Sequence, residues 1–175
     1  MARPYRLASI TTSDELRPSL VSRFYSVSDA NTFDLYLTDL PPAALRPGAS
    51  LAGVSGHLVR IHVFVVPRAG RTPIDTDAFN AAVTHVIVSS GQIGVYAGGG
   101  FVIPENSIGA SELRARLAGG TVRFEAGTSG FTDRLGASTV SGMLRTTRNP
   151  SMAETAKARL DELARQARGS GAIGN

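Results

Sequence analysis

The chain has 175 residues, of which 42% are hydrophobic and 18% charged, enough for one domain with a buried core. It contains no cysteine, which excludes disulfides, iron–sulfur clusters and cysteine nucleophiles. Only one of its 18 lysines and arginines, Lys157, is a lysine, so amine chemistry has a single candidate. Since phosphate-loop and metal-ligand motifs are also missing, we expect neither a cofactor nor a metal ion.

The net charge of +4 is concentrated in residues 111–149, which carry six arginines against three acids. These arginines are dispersed, and they lack the interleaved aromatic residues of single-strand binders. We interpret them as a solvated face with local ion pairs. Any nucleic-acid binding is expected to be weak and non-specific, through Arg114, Arg116, Arg123, Arg145 and Arg148.

No apolar stretch is long enough to cross a membrane. The densest one, residues 61–66, falls far short of the ~20 residues that a spanning helix needs. The N-terminal residues contain no signal-peptide core. The sequence therefore predicts a cytoplasmic protein without membrane contact.

Strand patterns dominate the first part of the chain. Residues 32–40 alternate in polarity, with Phe33, Leu35 and Leu37 on one face. The proline-rich residues 41–50 predict an ordered surface loop. Residues 58–66 are dense in β-branched side chains on both faces, which is typical of a central strand.

The period then changes to that of a helix. Apolar side chains in residues 75–90 recur at spacings of three and four, which predicts a helix, although its second half has strand propensity and a strand is the alternative. A second short helix is predicted at residues 111–117, ending at the Gly119–Gly120 pair. Strands are predicted in the remaining segments, namely residues 93–97, 101–103, 121–126 and 139–147.

The C-terminal helix is the best-defined element and is predicted over residues 150–168. Ser151 and Glu154 fit a capping box. The helix carries a narrow apolar stripe that needs a partner surface, either on its own subunit or on a neighbour, formed by Ala156, Leu160, Leu163 and Ala167. We predict this stripe as an interface, a β-rich α+β domain over residues 1–149, and a flexible tail over residues 169–175.

These elements predict an α+β fold. The expected architecture is a strongly curved antiparallel or mixed sheet, with a small barrel as one form, carrying two short helices and the C-terminal helix. A two-layer sandwich of sheet and helices is the alternative.

Few residues are arranged for chemistry. On one strand face, His62 and Arg60 form a candidate catalytic pair if a carboxylate such as Asp34 or Asp39 lies nearby, and Tyr96 is a third candidate. His57 and His62 differ by five positions, so on one strand they point to opposite faces and make a poor metal pair. The third histidine, His85, falls away from the apolar stripe of its predicted helix.

A run of three glycines, Gly98, Gly99 and Gly100, is a candidate ligand-binding loop because the missing side chains let a ligand approach the backbone. We favour a structural role for it, at a bulge or bend in the sheet.

Two functional hypotheses follow. The preferred one is a non-enzymatic protein that acts by association, as a homo-oligomeric scaffold, shell or adaptor subunit, since no catalytic motif is assembled and the terminal helix seeks a surface. The alternative is a cofactor-independent enzyme or small-ligand-binding protein with a cavity inside a curved sheet. A concave pocket that holds His62, Tyr96 and a carboxylate would favour the alternative.

Overall fold

The computed structural model describes residues 4–67 and 79–171, and within these ranges nine strands form one sheet that is followed by a helix. The strands are β1 (Arg6–Ser9), β2 (Glu15–Leu16), β3 (Ser22–Val27), β4 (Phe33–Thr38), β5 (Gly56–Val63), β6 (Ala81–Ser89), β7 (Gln92–Pro104), β8 (Glu112–Gly127) and β9 (Ser138–Arg148), and the helix is α1 (Pro150–Gly171).

The sheet closes on itself. Its strand order is β2-β1-β9-β3-β4-β5-β6-β7-β8, and β8 pairs with β9 as well, which joins the last strand to the middle of the order. The pairings are antiparallel except for that of β3 with β9, which is parallel. The predicted curved, mixed sheet is therefore present, and it is closed into a ring.

The interior of the ring is filled by inward-facing side chains from every strand around it. Phe33, Leu35 and Leu37 of β4 point inward, as the alternation in the sequence predicts. They meet the central strand β5, whose inward residues Val59 and Ile61 are fully buried. This cluster is continuous around the ring, so most of the interior is core rather than open space.

A second apolar cluster lies on the outer face of the sheet, beneath α1. The stripe Ala156, Leu160, Leu163 and Ala167 is at most 3% exposed there. It packs on outward-facing residues of the same chain, namely Phe24, Tyr36, Leu58, Val86 and Val95. The helix therefore docks on its own sheet, which is one of the two partner surfaces that the sequence left open for this stripe.

The helix predicted over residues 75–90 is wrong where the structure describes it, because residues 81–89 form strand β6. Residues 75–78 lie outside the described residues. β6 pairs with β7 along its whole length and with β5 over residues 81–88. The ring interior covers one of its faces and α1 covers part of the other, so apolar side chains occur on both faces and imitate a helical spacing.

The short helix predicted over residues 111–117 is also part of a strand. In β8, Leu113, Ala115 and Leu117 alternate inward, while the intervening charged residues point to solvent. The glycine pair after them does not end a helix: Gly119 has φ +68° and marks a register shift between β8 and β9. Of the two predicted short helices, neither is present in the described residues.

The glycine run lies inside the long strand β7 and does not separate two short strands. A Cβ atom at Gly98 would lie 1.9 Å from the carbonyl oxygen of Thr121 on β8. The register between β7 and β8 shifts just beyond the run, between Gly100 and Val102. These glycines therefore permit a close backbone approach and a bulge.

The start of α1 differs from the predicted capping box. Asn149 is the N-cap: its side-chain oxygen accepts a hydrogen bond from the Met152 amide at 3.1 Å, and Pro150 occupies the first helical position. The Ser151 carbonyl accepts a bond from Thr155 Oγ1 within the helix. The helix also runs to Gly171, past the predicted end at residue 168. Among the described residues, no helix is both long and apolar enough to span a membrane.

Candidate functional site

A cavity of about 570 Å³ lies at the end of the ring where β6 turns into β7. Its wall combines apolar and polar side chains, namely Asp14, Glu15, Leu16, Ile87, Ser89, Gln92, Tyr96, Phe131, Thr132, Arg134 and Leu135, together with Gly130. We call it the mouth cavity. Its volume is that of a pocket for a small organic molecule.

Three parts of the chain build this cavity. Ile87 and Tyr96 are inward-facing residues of the β6–β7 hairpin, whose tight turn pairs Ser89 with Gln92. The connection between β8 and β9 contributes Phe131 and its neighbours, and the β1–β2 turn contributes its acids. Phe131 stacks on Phe124 with the two rings within 4° of parallel, which extends the apolar wall.

Tyr96 is held by one strong hydrogen bond. Its hydroxyl donates to Oδ1 of Asp133 at 2.5 Å, and the same oxygen accepts bonds from the amides of Leu135 and Gly136. Burial and the neighbouring carboxylate raise the pKa of Tyr96, so its hydroxyl stays protonated. The bond from Tyr96 joins residues that are 37 positions apart in the sequence, so no local pattern predicts it.

The charged groups at the cavity differ in how they are neutralised. Glu15 bonds to Arg17 and to Arg6, and the bond from Arg17 does most to lower the pKa of this carboxyl. Asp14 accepts a bond from Thr12. Within the described part of the chain, the guanidinium of Arg134 makes no ion pair or hydrogen bond. The cavity therefore presents an available cation at its rim.

A chain of three hydrogen-bonded rings lies behind the cavity wall. Tyr5 Oη is 3.1 Å from His85 Nδ1, and His85 Nε2 is 3.1 Å from His57 Nδ1. In the strand register His85 lies opposite Tyr96, and His57 lies opposite Ile87, so both histidines adjoin residues that line the cavity.

Burial keeps both imidazoles neutral. It is the main cause that lowers the pKa of His85 and of His57, with nearby Asp39 acting in the opposite direction on His57. Tyr5 has no described acceptor other than His85, so we assign its hydroxyl as the donor to His85 Nδ1. His85 Nε2 then donates to His57 Nδ1, which leaves Nε2 of His57 as a further N–H donor.

The predicted pair His62 and Arg60 lies elsewhere, on the outer face of the sheet. Asp34 Oδ1 is 3.1 Å from His62 Nδ1 and accepts a bond from Arg60 Nε at 2.7 Å, so the structure brings these three residues together. Asp39 instead accepts a bond from the His57 amide at 2.5 Å. Tyr96 points into the ring, so the three predicted catalytic candidates do not form one site.

Two other candidates are also placed apart from the cavity. The glycine run faces β8 and the Phe79 and Leu117 side chains, and it does not line the mouth cavity. Among the described residues, no group of three or more histidine, aspartate or glutamate side chains is arranged to hold a metal ion.

The sequence interpretation missed the histidine pair and the rim of the cavity. His85 lies in the predicted helix, yet it alternates with Val83 and Ile87, and this period-2 pattern indicates a strand whose His85 side chain faces the ring interior. Tyr5 reaches it across 80 positions of sequence, a contact that local patterns do not encode.

Comparison of the chain with protein-family models, with curated proteins and with solved structures gave no match.

Proposed function

We propose that this protein binds a small organic molecule in the mouth cavity. The observation that carries the proposal is that the ring interior is packed up to Tyr96 and Ile87 and then opens into about 570 Å³ bounded by mixed apolar and polar side chains. A concave, largely preformed site with a few oriented polar groups is the usual form of a ligand pocket.

The wall indicates what kind of molecule fits. Leu16, Ile87 and the stacked Phe131 favour a flat apolar body. The guanidinium of Arg134, which has no partner in the described part of the chain, favours an acidic group at the open end. An aromatic or alicyclic acid therefore matches the cavity better than a cation does, even though Asp14 also lies at the rim.

Binding is better supported than turnover. The Tyr96 hydroxyl donates its hydrogen bond to Asp133, and Glu15 accepts bonds from two arginines, so these groups already have structural partners. A general base needs a free lone pair directed at its substrate. Among the described residues of the wall, no pair of side chains has the arrangement of a nucleophile and its base.

Self-association, the preferred hypothesis from the sequence, loses its main argument. The apolar stripe of α1 is used within the chain, so the terminal helix no longer requires a second subunit.

The proposal is tested with 1-anilinonaphthalene-8-sulfonate, a fluorescent probe with an aromatic body and an acidic group. We expect saturable one-to-one binding to the native protein. Ile87→Trp fills the cavity and should abolish the binding, and Arg134→Gln should weaken it. The matched control is Ile10→Trp, because Ile10 is 57% exposed and does not line the cavity. Equal binding by all four proteins, or none by the native one, would contradict the proposal.

A further inference from the structure

β9 changes partners along one of its edges, and this leaves a gap in the wall of the ring. Its residues from Ser138 to Ser141 pair with β1, and only Thr147 and Arg148 pair with β3. Residues 142–146 have no strand partner on that edge among the described residues. We call this interval the seam.

The backbone of the chain start explains why the seam is there. A Cβ atom at Gly142 would lie 2.5 Å from the Tyr5 Cα, so the two backbones cross with no room for a side chain. Beyond this crossing Tyr5 turns inward to His85, and β1 no longer follows β9. β3 joins β9 only at its end, because the two strands meet in parallel at Phe24 and Thr147.

A cavity of about 430 Å³ opens at the seam, and its wall is strongly basic. It is lined by Pro4, Arg23, Glu105, Arg114, Met143, Leu144 and Arg145. Three guanidinium groups and one carboxylate leave an excess of two positive charges in the wall. The volume suits a compact small molecule rather than a polymer.

These arginines are positioned but poorly neutralised. Arg114 is fixed through its backbone, since its amide donates to Asn106 Oδ1 at 2.7 Å and its carbonyl accepts from the Glu105 amide at 2.8 Å. Within the described residues, its guanidinium has no partner. Among the residues that the structure describes, Arg23 bonds only through Nε, which donates to the Leu20 carbonyl, so its two terminal nitrogens have no partner there.

The placement of Arg145 adds to the charge. It lies directly opposite Arg114 in the register of β8 and β9. Like charges opposite each other on neighbouring strands destabilise a sheet. Within the described ranges, Arg145 has one acidic partner, Glu112, whose Oε1 is 3.5 Å from Arg145 Nε. Both side chains are about half exposed or more, so this pair neutralises little of the charge.

We propose that the seam cavity binds a small dianion, such as a phosphate monoester or a dicarboxylate. Two excess positive charges match an ion of charge about −2. Guanidinium forks from two adjacent strands offer the paired N–H groups that phosphate and carboxylate oxygens accept. This site is separate from the mouth cavity, with which it shares no lining residue.

The test is isothermal titration of the full chain with inorganic phosphate and, separately, with succinate, at constant ionic strength in chloride buffer. We expect saturable one-to-one binding of at least one of them, and the tighter of the two identifies the anion class. Arg114→Gln should lower the affinity by about tenfold. Glu105→Gln should raise it by about threefold, because it removes a repelling carboxylate.

The matched control is Arg123→Gln. Arg123 is exposed on the same strand β8 and does not line the seam cavity. It should leave the affinity unchanged, while circular dichroism and thermal unfolding verify that each variant is folded. Heat that does not saturate, or an equal loss of affinity in Arg114→Gln and Arg123→Gln, would overturn the proposal. Equal losses would mean that anions sense only the diffuse charge of the surface.

Discussion

Two arginine environments on the outer face of the sheet show what burial demands of a charge. Arg159 of α1 is 1% exposed, and each of its three guanidinium nitrogens donates a hydrogen bond: Nε to the Ala44 carbonyl, Nη2 to the Ala49 carbonyl and Nη1 to Glu162. At the seam, by contrast, Arg145 is 65% exposed and lies opposite another arginine.

The difference follows from solvation. A guanidinium taken out of water must recover its hydrogen bonds within the protein, so Arg159 fastens the loop of residues 41–50 to the helix. Glu162 completes this clamp by accepting a bond from the Gly48 amide, which is the largest cause of its lowered pKa. Water solvates the seam arginines, so no internal partner is required there and a ligand remains free to supply one.

The largest loss of stability is expected from substitutions in the apolar contact between α1 and the sheet. Changing both Leu160 and Leu163 to alanine removes the side chains that fill the space between α1 and the sheet, and each loss should cost about 2 to 5 kcal/mol. Urea unfolding should therefore show a much lower midpoint, and light scattering should show the same subunit number as in the native protein. A changed subunit number with unaltered stability would mean that the stripe packs against a second chain.

A smaller effect is expected from the buried charge itself. Arg159→Gln leaves the two loop carbonyls without their donors, and it should cost about 2 to 4 kcal/mol. Lys157→Gln is the control on the same helix, because the Lys157–Asp161 pair is about half exposed and contributes little. If the two substitutions cost the same in urea unfolding, the clamp around Arg159 adds nothing to stability.

Sequence patterns predict contacts between neighbouring strands better than contacts between distant segments. The alternation of apolar and polar residues predicts β4 and β5 correctly. Arg60 and His62 are two residues apart on β5, so they lie on the same face of the strand. A carboxylate near this pair is only a hypothesis from the sequence. In the structure Asp34 lies directly opposite His62 in the strand register and supplies it. Local sequence patterns are enough to predict these contacts because the partners lie on β4 and β5, which follow each other in the chain and pair directly.

The features that the sequence did not predict depend on contacts between segments that are far apart in the chain. The pairing of β8 with β9 closes the ring, so its interior covers one face of β6 while α1 covers part of the other face. Apolar residues on both faces then give β6 a spacing that resembles that of a helix. The loop carbonyls that hold Arg159 lie 110 and 115 positions away from it. Both cavities form where such distant segments meet, so their lining was out of reach of any local pattern.

The buried His85 is in a third kind of environment, in which the side chain stays neutral instead of forming an ion pair. Its pKa is held below that of an unfolded histidine, so the unfolded chain binds more protons. Stability should therefore fall as the pH drops below about 6.5, by up to about 1.4 kcal/mol per pH unit for each extra proton. Urea unfolding between neutral and acid pH measures this slope.

His85→Phe should flatten that acid slope even though it lowers stability at neutral pH by leaving the Tyr5 hydroxyl without a partner. Tyr5→Phe is the matched control, because it removes the same hydrogen bond but keeps the titrating imidazole, so the slope should remain. His57 adjoins the pair and keeps part of the slope in both variants. An unchanged slope in His85→Phe would show that other groups govern acid unfolding.

The smallest effect is expected at the seam, and it has the opposite sign. Arg145→Gln removes the repulsion of Arg114 and should stabilise the anion-free protein by up to about 1 kcal/mol at low salt. High salt should erase the gain, because exposed charges are screened. Arg123→Gln is the control. Arg123 lies opposite Ala97, so its substitution relieves no charge repulsion and should not stabilise the protein. Added phosphate should then stabilise the native protein more than it stabilises the Arg145→Gln variant. A loss of stability in Arg145→Gln would mean that the contact with Glu112 outweighs the repulsion, and the seam would then be an ordinary solvated surface.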